Sequence, residues 1–372
     1  MKARLIRQIS TNQSWDHYFL PEISRLIIFG HEGPAILYDT SSATTTEVLN
    51  IGRVVSENGG MFVNAAARSD KIAAFADYCS NPNILVLADM QSGCSKAIIT
   101  TVGNAVHKIA FSPRGTLLAL GSGTEKSKVC IYDVQNANMV ASFDGCEPLS
   151  WGDDDTLFYW NRFANSVYCK RINSGTEQSV APIPSGYLSA ILYCNGNVFF
   201  SVNQYHGADY GSELFRISMD DSVQRSLAKF GAGIEFLSQA SKDQVVVASA
   251  WHGDSEENGK IRLYSLIDNS IHIVGIFDSG YGHEELYSPY ATCSIESDVC
   301  FAWRSRRAKV FIAKFGMSPH EVLLPNYYPE LDSQRSVDQY VVNSVHMAGL
   351  NDKVCMSIGQ GTNILVYEIE NT

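Results

Sequence analysis

Three short segments each set a histidine close to an acid: His206 with Asp209, His252 with Asp254, and His283 with Glu284. Imidazole and carboxylate are ligand types for a divalent transition metal, and the same pair can move protons as general acid and base. None of the three pairs has the i, i+4 spacing that would bring two ligands onto one helix face. Hydrogen-bonding surface histidines are the simpler reading, so no metal and no other cofactor is expected. The G-x-S-x-G elbow, the H-E-x-x-H zinc motif and the G-x-x-x-x-G-K-[ST] phosphate loop are all missing from the sequence. Adjacent acids such as Glu284 and Glu285 do not by themselves define a general acid and base. The chain is therefore not expected to be an enzyme.

The same residues suit recognition better. They fall in four segments: 203–213 (NQYHGADYGSE), 251–260 (WHGDSEENGK), 278–290 (DSGYGHEELYSPY) and 325–341 (PNYYPELDSQRSVDQYV). Together these carry 11 acids, Glu256 and Glu257 among them, against two bases, Lys260 and Arg335. They also hold nine Tyr or Trp residues: Tyr205, Tyr210, Trp251, Tyr281, Tyr287, Tyr290, Tyr327, Tyr328 and Tyr340. Tyr and Trp on polar loops anchor protein interfaces, because each rigid ring covers a large area at small entropic cost. Some of these rings must also pack the loops onto the body of the protein. A basic run, Arg304, Arg306 and Arg307 beside Lys309, reads as a solvated charge run or as one basic contact for an acidic partner or phosphate.

What would hold these loops in place is a repeat. A short apolar strand recurs eight times: PAILYDT at 34–40, NILVLAD at 83–89, KVCIYDV at 128–134, SVYCKRI at 166–172, ELFRIS at 213–218, KIRLYSL at 260–266, KVFIAKF at 309–315 and NILVYEI at 363–369. Successive starts lie 49, 45, 38, 47, 47, 49 and 54 residues apart. A period of roughly 46 residues holding four short strands is the pattern of a β-propeller blade. The expected fold is all-β: one closed propeller of four-stranded blades spanning 1–372, with eight blades favoured and seven as the alternative. The last repeat supplies only three strands, so residues 2–10 (KARLIRQIS) are expected to add the fourth by pairing with NILVYEI. Such pairing removes an exposed strand edge. In this topology the second-to-third turns and the connections between blades emerge on one face. All four acidic segments are of those two kinds, and tight turns such as SPRGT at 112–116 and DDD at 153–155 take the opposite face.

Composition narrows the partners. Net charge is −11, from 28 bases and 39 acids, which disfavours nucleic acid. No stretch approaches 18 apolar residues and the N-terminal segment lacks the apolar core of a secretory signal, so no membrane association is expected. Nine cysteines are scattered without a C-x-x-C, several inside expected strands, which points to a reducing, cytoplasmic setting. Cys293 and Cys300 are expected to face each other across one hairpin without forming a disulfide.

The third repeat, VHKIAFSPRGTLLALGSG followed by VCIYDV, resembles a WD-repeat: an inner apolar run, an S-P-x-G turn, and Tyr132-Asp133 where Trp-Asp is usual. Tyr38-Asp39 and Ala88-Asp89 keep the acid, while Tyr264-Ser265 and Tyr367-Glu368 have drifted; His107 is the nearest match to the Gly-His dipeptide. The chain is similar to WD-repeat-like propellers over its length, through one good repeat and seven degenerate ones. That resemblance implies a protein-interaction platform and carries no catalytic residue. The S-x-D-x-G-x-x-W box of sialidase-like propellers is absent. The expected function is binding of a protein with a basic surface, with inhibition of a basic enzyme or toxin as one version. The alternative is a small-ligand or hydrolytic site at the mouth of the central channel.

Overall fold

The computed structural model describes residues 1–11, 16–20, 24–29, 34–50, 53–54, 57, 63–68, 71–77, 83–89, 95–100, 106, 108–121, 128–206, 209–249, 256–276, 290–295, 298–304, 309–325, 342–350, 353–360 and 363–370. These residues form eight sheets of four strands. Seven sheets take four consecutive strands each, within 16–50, 63–100, 108–144, 146–182, 187–230, 234–276 and 290–322. They are called the first to seventh sheets below. The eighth sheet joins Val342–Leu350, Lys353–Gln360 and Asn363–Glu370 to the N-terminal strand Lys2–Ser10.

Every one of the eight recurring segments is the third strand of its sheet, from Pro34–Asp39 to Asn363–Glu370. The N-terminal strand lies where the incomplete last repeat requires it. It pairs antiparallel with Asn363–Glu370, from Lys2 opposite Glu370 to Ser10 opposite Asn363, with one irregularity between Leu5 and Arg7.

Two compact units divide the chain. One holds 31–35 and 47–238, and the other holds 1–30, 36–46 and 239–372. In the first of these units, the strands of the third sheet are apolar on both faces. Leu118, Leu120, Cys130 and Tyr132 face Ala74, Ala76, Leu85 and Leu87 of the second sheet. The residues between them, Ala119, Val129 and Ile131, face Leu149, Trp151, Leu157 and Tyr159 of the fourth sheet. Side chains alternate along a strand, so a sheet packed on both sides must be apolar at every position. Each fully buried Leu or Val contributes about 1.5–3 kcal/mol. The outermost strands escape this demand: Asn138–Asp144 and Glu177–Pro182 are mostly exposed. Polar links also join neighbouring sheets. Trp151 Nε1 donates to the Ala110 carbonyl at 2.9 Å.

The other unit repeats the scheme. Ala302, Val310 and Ile312 of the seventh sheet pack against Val345, Met356 and Ile358 of the eighth. Ile364 and Val366 of the eighth pack against Phe19, Leu26 and Ile28 of the first. Lys2–Ser10 has the exposed pattern of an outermost strand, with Ile9 buried. Among the described residues no helix is long and apolar enough to cross a membrane.

Candidate functional site

An antiparallel four-stranded sheet has two ends. The turns joining first to second and third to fourth strands lie at one end; the second-to-third turn and the exit to the next sheet lie at the other. Of the four acidic, aromatic segments, the described parts at 203–206, 209–213 and 256–260 flank second-to-third turns of their own sheets, while most of 278–290 and 325–341 lies outside the described residues. Residues 203–213 belong to the unit holding 47–238, and the other three segments to the second unit.

Residues 203–213 are not the long loop expected. The strands Asn197–His206 and Asp209–Ser218 run almost to the tip, with Tyr205 opposite Tyr210 and His206 opposite Asp209. Their neighbours stop earlier, at Tyr187 opposite Asn203 and Ser212 opposite Phe230. A two-stranded ribbon thus extends beyond the sheet. Gly and polar residues there suggested a loop, but the backbone register continues the hairpin as far as His206 opposite Asp209. Glu213, at its base, accepts from Ser226 and lies 3.9 Å from Lys229.

Glu256 and Glu257 sit in the turn before the strand Lys260–Ser265. Glu256 is exposed. Glu257 is engaged internally: it accepts from Lys260 Nζ at 2.6 Å and from Arg262 Nη2. Arg262 is buried in the strand and also donates to Ser249 Oγ at 2.7 Å. Burial pushes the Glu257 carboxyl up, but the hydrogen bond from Lys260 and the Arg262 charge outweigh it and hold the group below the ordinary glutamate value. Arg304 ends the strand Asp298–Arg304, half-buried and opposite Val310, while Lys309 pairs with Glu321 at 3.0 Å. The other expected contacts, Trp251, His252, Asp254, Tyr281, His283, Glu284, Glu285, Tyr287, Tyr327, Tyr328 and Arg306, lie outside the described residues. Among the described residues no group of three or more His, Cys, Asp or Glu gathers as a metal site. Cys293 and Cys300 are directly opposite across their hairpin, and both thiols are free.

At the tight-turn end, acids hold turns together, within one sheet and from one sheet to the next. Asp153 accepts from the Asp155 amide, Asp154 from the Arg114 amide, and Asp155 from the Asn173 amide.

Two arrangements were not anticipated from the sequence. His17 is buried in the first sheet, 2.8 Å through Nε2 from Ser357 Oγ of the eighth, with its ring edge-to-face on His346 at 4.7 Å. In the other unit, the Arg162 guanidinium lies 4.5 Å from the Trp160 ring centroid and 5.5 Å from that of Tyr187. The two rings meet edge-to-face at 5.0 Å. Trp160 is the penultimate residue of the second strand of the fourth sheet, Thr156–Asn161; Arg162 lies in the turn that follows, and Tyr187 opens the fifth sheet. Those positions share the loop-bearing kind of end.

Solved structures with this arrangement of sheets decide the fold. Saccharomyces cerevisiae Sqt1 superposes with a TM-score of 0.68 at 14% identity, covering 100% of both chains. The C-terminal WD40 domain of Sif2 gives 0.63 at 12% identity, covering 100% of this chain and 99% of that one. The fold is a β-propeller like that of WD40 domains. A chain of the Mitotic Checkpoint Complex has a similar propeller, with a TM-score of 0.54 at 11% identity, over 83% of this chain and 87% of that one. No protein-family model and no curated protein sequence matches this propeller.

Proposed function

We propose that this propeller is a non-enzymatic interaction module that binds a protein with a basic surface through its acidic, aromatic segments. WD40 propellers as a class serve as interaction scaffolds, and one structural neighbour is part of a multiprotein complex. In this reading the eight four-stranded sheets are eight blades of one closed ring spanning 1–372. The N-terminal strand completes the last blade, as its pairing with Asn363–Glu370 supports.

One observation carries the binding reading: 11 acids and nine Tyr or Trp residues fall on four segments of the sequence that follow second or fourth strands, two kinds of connection that share one end of a sheet in this topology. Within that set Glu256 is an exposed charge, whereas Glu257 serves as a structural counter-ion. Aromatic anchors supply most of the affinity in such an interface, and the acids steer the encounter. Neutralising a basic enzyme or toxin is one way a cytoplasmic protein would use such a surface. The test is association kinetics against salt. Glu256→Gln with Glu284→Gln and Glu285→Gln should slow association and flatten its salt dependence while leaving the dissociation rate nearly unchanged. Unchanged association rates at low salt would remove the acidic segments from the interface.

A further inference from the structure

Cys293 and Cys300 are brought together by strand register. They stand directly opposite each other on Tyr290–Ile295 and Asp298–Arg304, the first two strands of the seventh sheet. The other described cysteines face other residue types, such as Trp160 opposite Cys146 and Asn197 opposite Cys194. Directly opposed residues on antiparallel strands hold their Cα atoms about 4.5–5.5 Å apart, within the roughly 4.4–6.8 Å that a disulfide spans. The backbone of this hairpin already holds the separation a disulfide needs.

Both side chains point toward the eighth sheet. Cys300 is 2% exposed, in the core with Ala302, Val310 and Val345; Cys293 packs against that core and keeps partial solvent access. The two thiols are hydrogen-bonded to each other. The bond donated by Cys293 holds the Cys300 thiol below its ordinary value, against burial and the Asp298 charge, with help from Lys314 opposite Cys300 on the third strand. The same contact, with burial, pushes the Cys293 thiol up. Burial alone dominates at Cys146, Cys169 and Cys355, and raises all three. The opposed pair therefore gives up one proton more readily than a solitary buried thiol, and thiolate is the reactive form of cysteine.

We propose that Cys293 and Cys300 are a reversible oxidation site, at which hydrogen peroxide converts the opposed thiols into a disulfide across the hairpin and a small thiol restores them. Cys293 is the sulfur that solvent reaches. As its proton passes to Cys300, Cys293 attacks one peroxide oxygen: the S–O bond forms, the O–O bond breaks, and the hydroxide released takes a proton from solvent. The Cys300 sulfur then attacks Cys293. The S–S bond forms, the S–O bond breaks, and the second oxygen leaves as water with the Cys300 proton. Two thiols lose two electrons and two protons, and one peroxide becomes two waters. Because the second sulfur is already in contact, it captures the sulfenic acid before further peroxide can carry it to sulfinic acid. Reduction runs by thiol–disulfide exchange, with the external thiolate entering at Cys293. This chemistry is independent of the proposed partner binding.

The test exposes the intact, natively folded chain to graded hydrogen peroxide. Remaining thiols are blocked with an alkylating agent, and the chain is digested and analysed by mass spectrometry. Cys293 and Cys300 should become resistant to alkylation together, as a peptide lighter by two hydrogens, at about tenfold less peroxide than Cys146 or Cys169 requires. Dithiothreitol should return both to the alkylatable form. Circular dichroism of the oxidised chain should match that of the reduced one, because the strands need not part for the bond to form. Oxidation no earlier than at Cys146 and Cys169, sulfinic acid in place of the disulfide, a bond from either residue to another cysteine, or loss of the strand spectrum as the bond forms would each overturn the proposal.

Discussion

Arg262 and Glu257 form an ion pair in which the guanidinium is 3% exposed and the carboxylate 32% exposed. The pair couples a strand interior to the turn that carries Glu256. Removing one partner of a buried pair strands the other charge, at a cost of about 3–5 kcal/mol when both are fully buried. Because Glu257 keeps partial solvent access, Glu257→Gln should cost about 2 kcal/mol in denaturant unfolding at pH 7. Its folded carboxyl is depressed, so its stabilisation is complete above the ordinary glutamate value of 4.5 and is lost as pH falls through the lower folded value. The native chain should lose stability on acidification below that point, and Glu257→Gln should lose less. An equal acid dependence in both proteins would show that the pair contributes nothing to it.

Deleting residues 1–10 should destabilise the protein. The deletion strips eight paired positions from Asn363–Glu370 and leaves an unpaired edge, with Ile9 lost from the core beneath it. The expected outcome is a melting midpoint lower by about 5 °C or more, with increased aggregation. A truncated chain that melts like the intact one would contradict the role given to that strand.

His17 and Ser357 are 1% and 0% exposed, and each satisfies the other across 340 residues of sequence. His17→Leu should cost about 1–3 kcal/mol by stranding the serine hydroxyl. Adding Ser357→Ala should recover part of that loss. A double-mutant cycle in chemical denaturation measures the coupling, and strict additivity would show that the hydrogen bond does not contribute.

The sheets were legible because their information is local and repeated. Apolar runs bounded by turns give the third strands to within a few residues, and the leftover strand at each terminus identifies the pairing of Lys2–Ser10 with Asn363–Glu370. The ribbon at 203–213 was missed because glycine and polar residues mark turns and hairpin tips alike, whereas register between Tyr205 and Tyr210 is a pairing property. Glu257 looked like a surface acid because the burial of Arg262, five residues on, is not visible in composition. The Arg162 cluster was hidden for another reason. Trp160 reads as core and Arg162 as a turn residue, and Tyr187 meets them only through the packing of one sheet against the next.

The measurement that tests the binding role most directly is quantitative affinity capture from the cells that make the protein, followed by titration of the captured partner. The native chain should be compared with Trp251→Ala/Tyr281→Ala and with Asp220→Asn. Asp220 is exposed in a third-to-fourth turn, at the tight-turn end of the fifth sheet, which makes it a suitable control. The account predicts a partner with a basic surface whose affinity falls by about 2 kcal/mol or more with the aromatic changes and is unaffected by Asp220→Asn. A partner that binds the aromatic variant as tightly as the native chain, and loses affinity with Asp220→Asn, would place the functional surface at the opposite ends of the sheets.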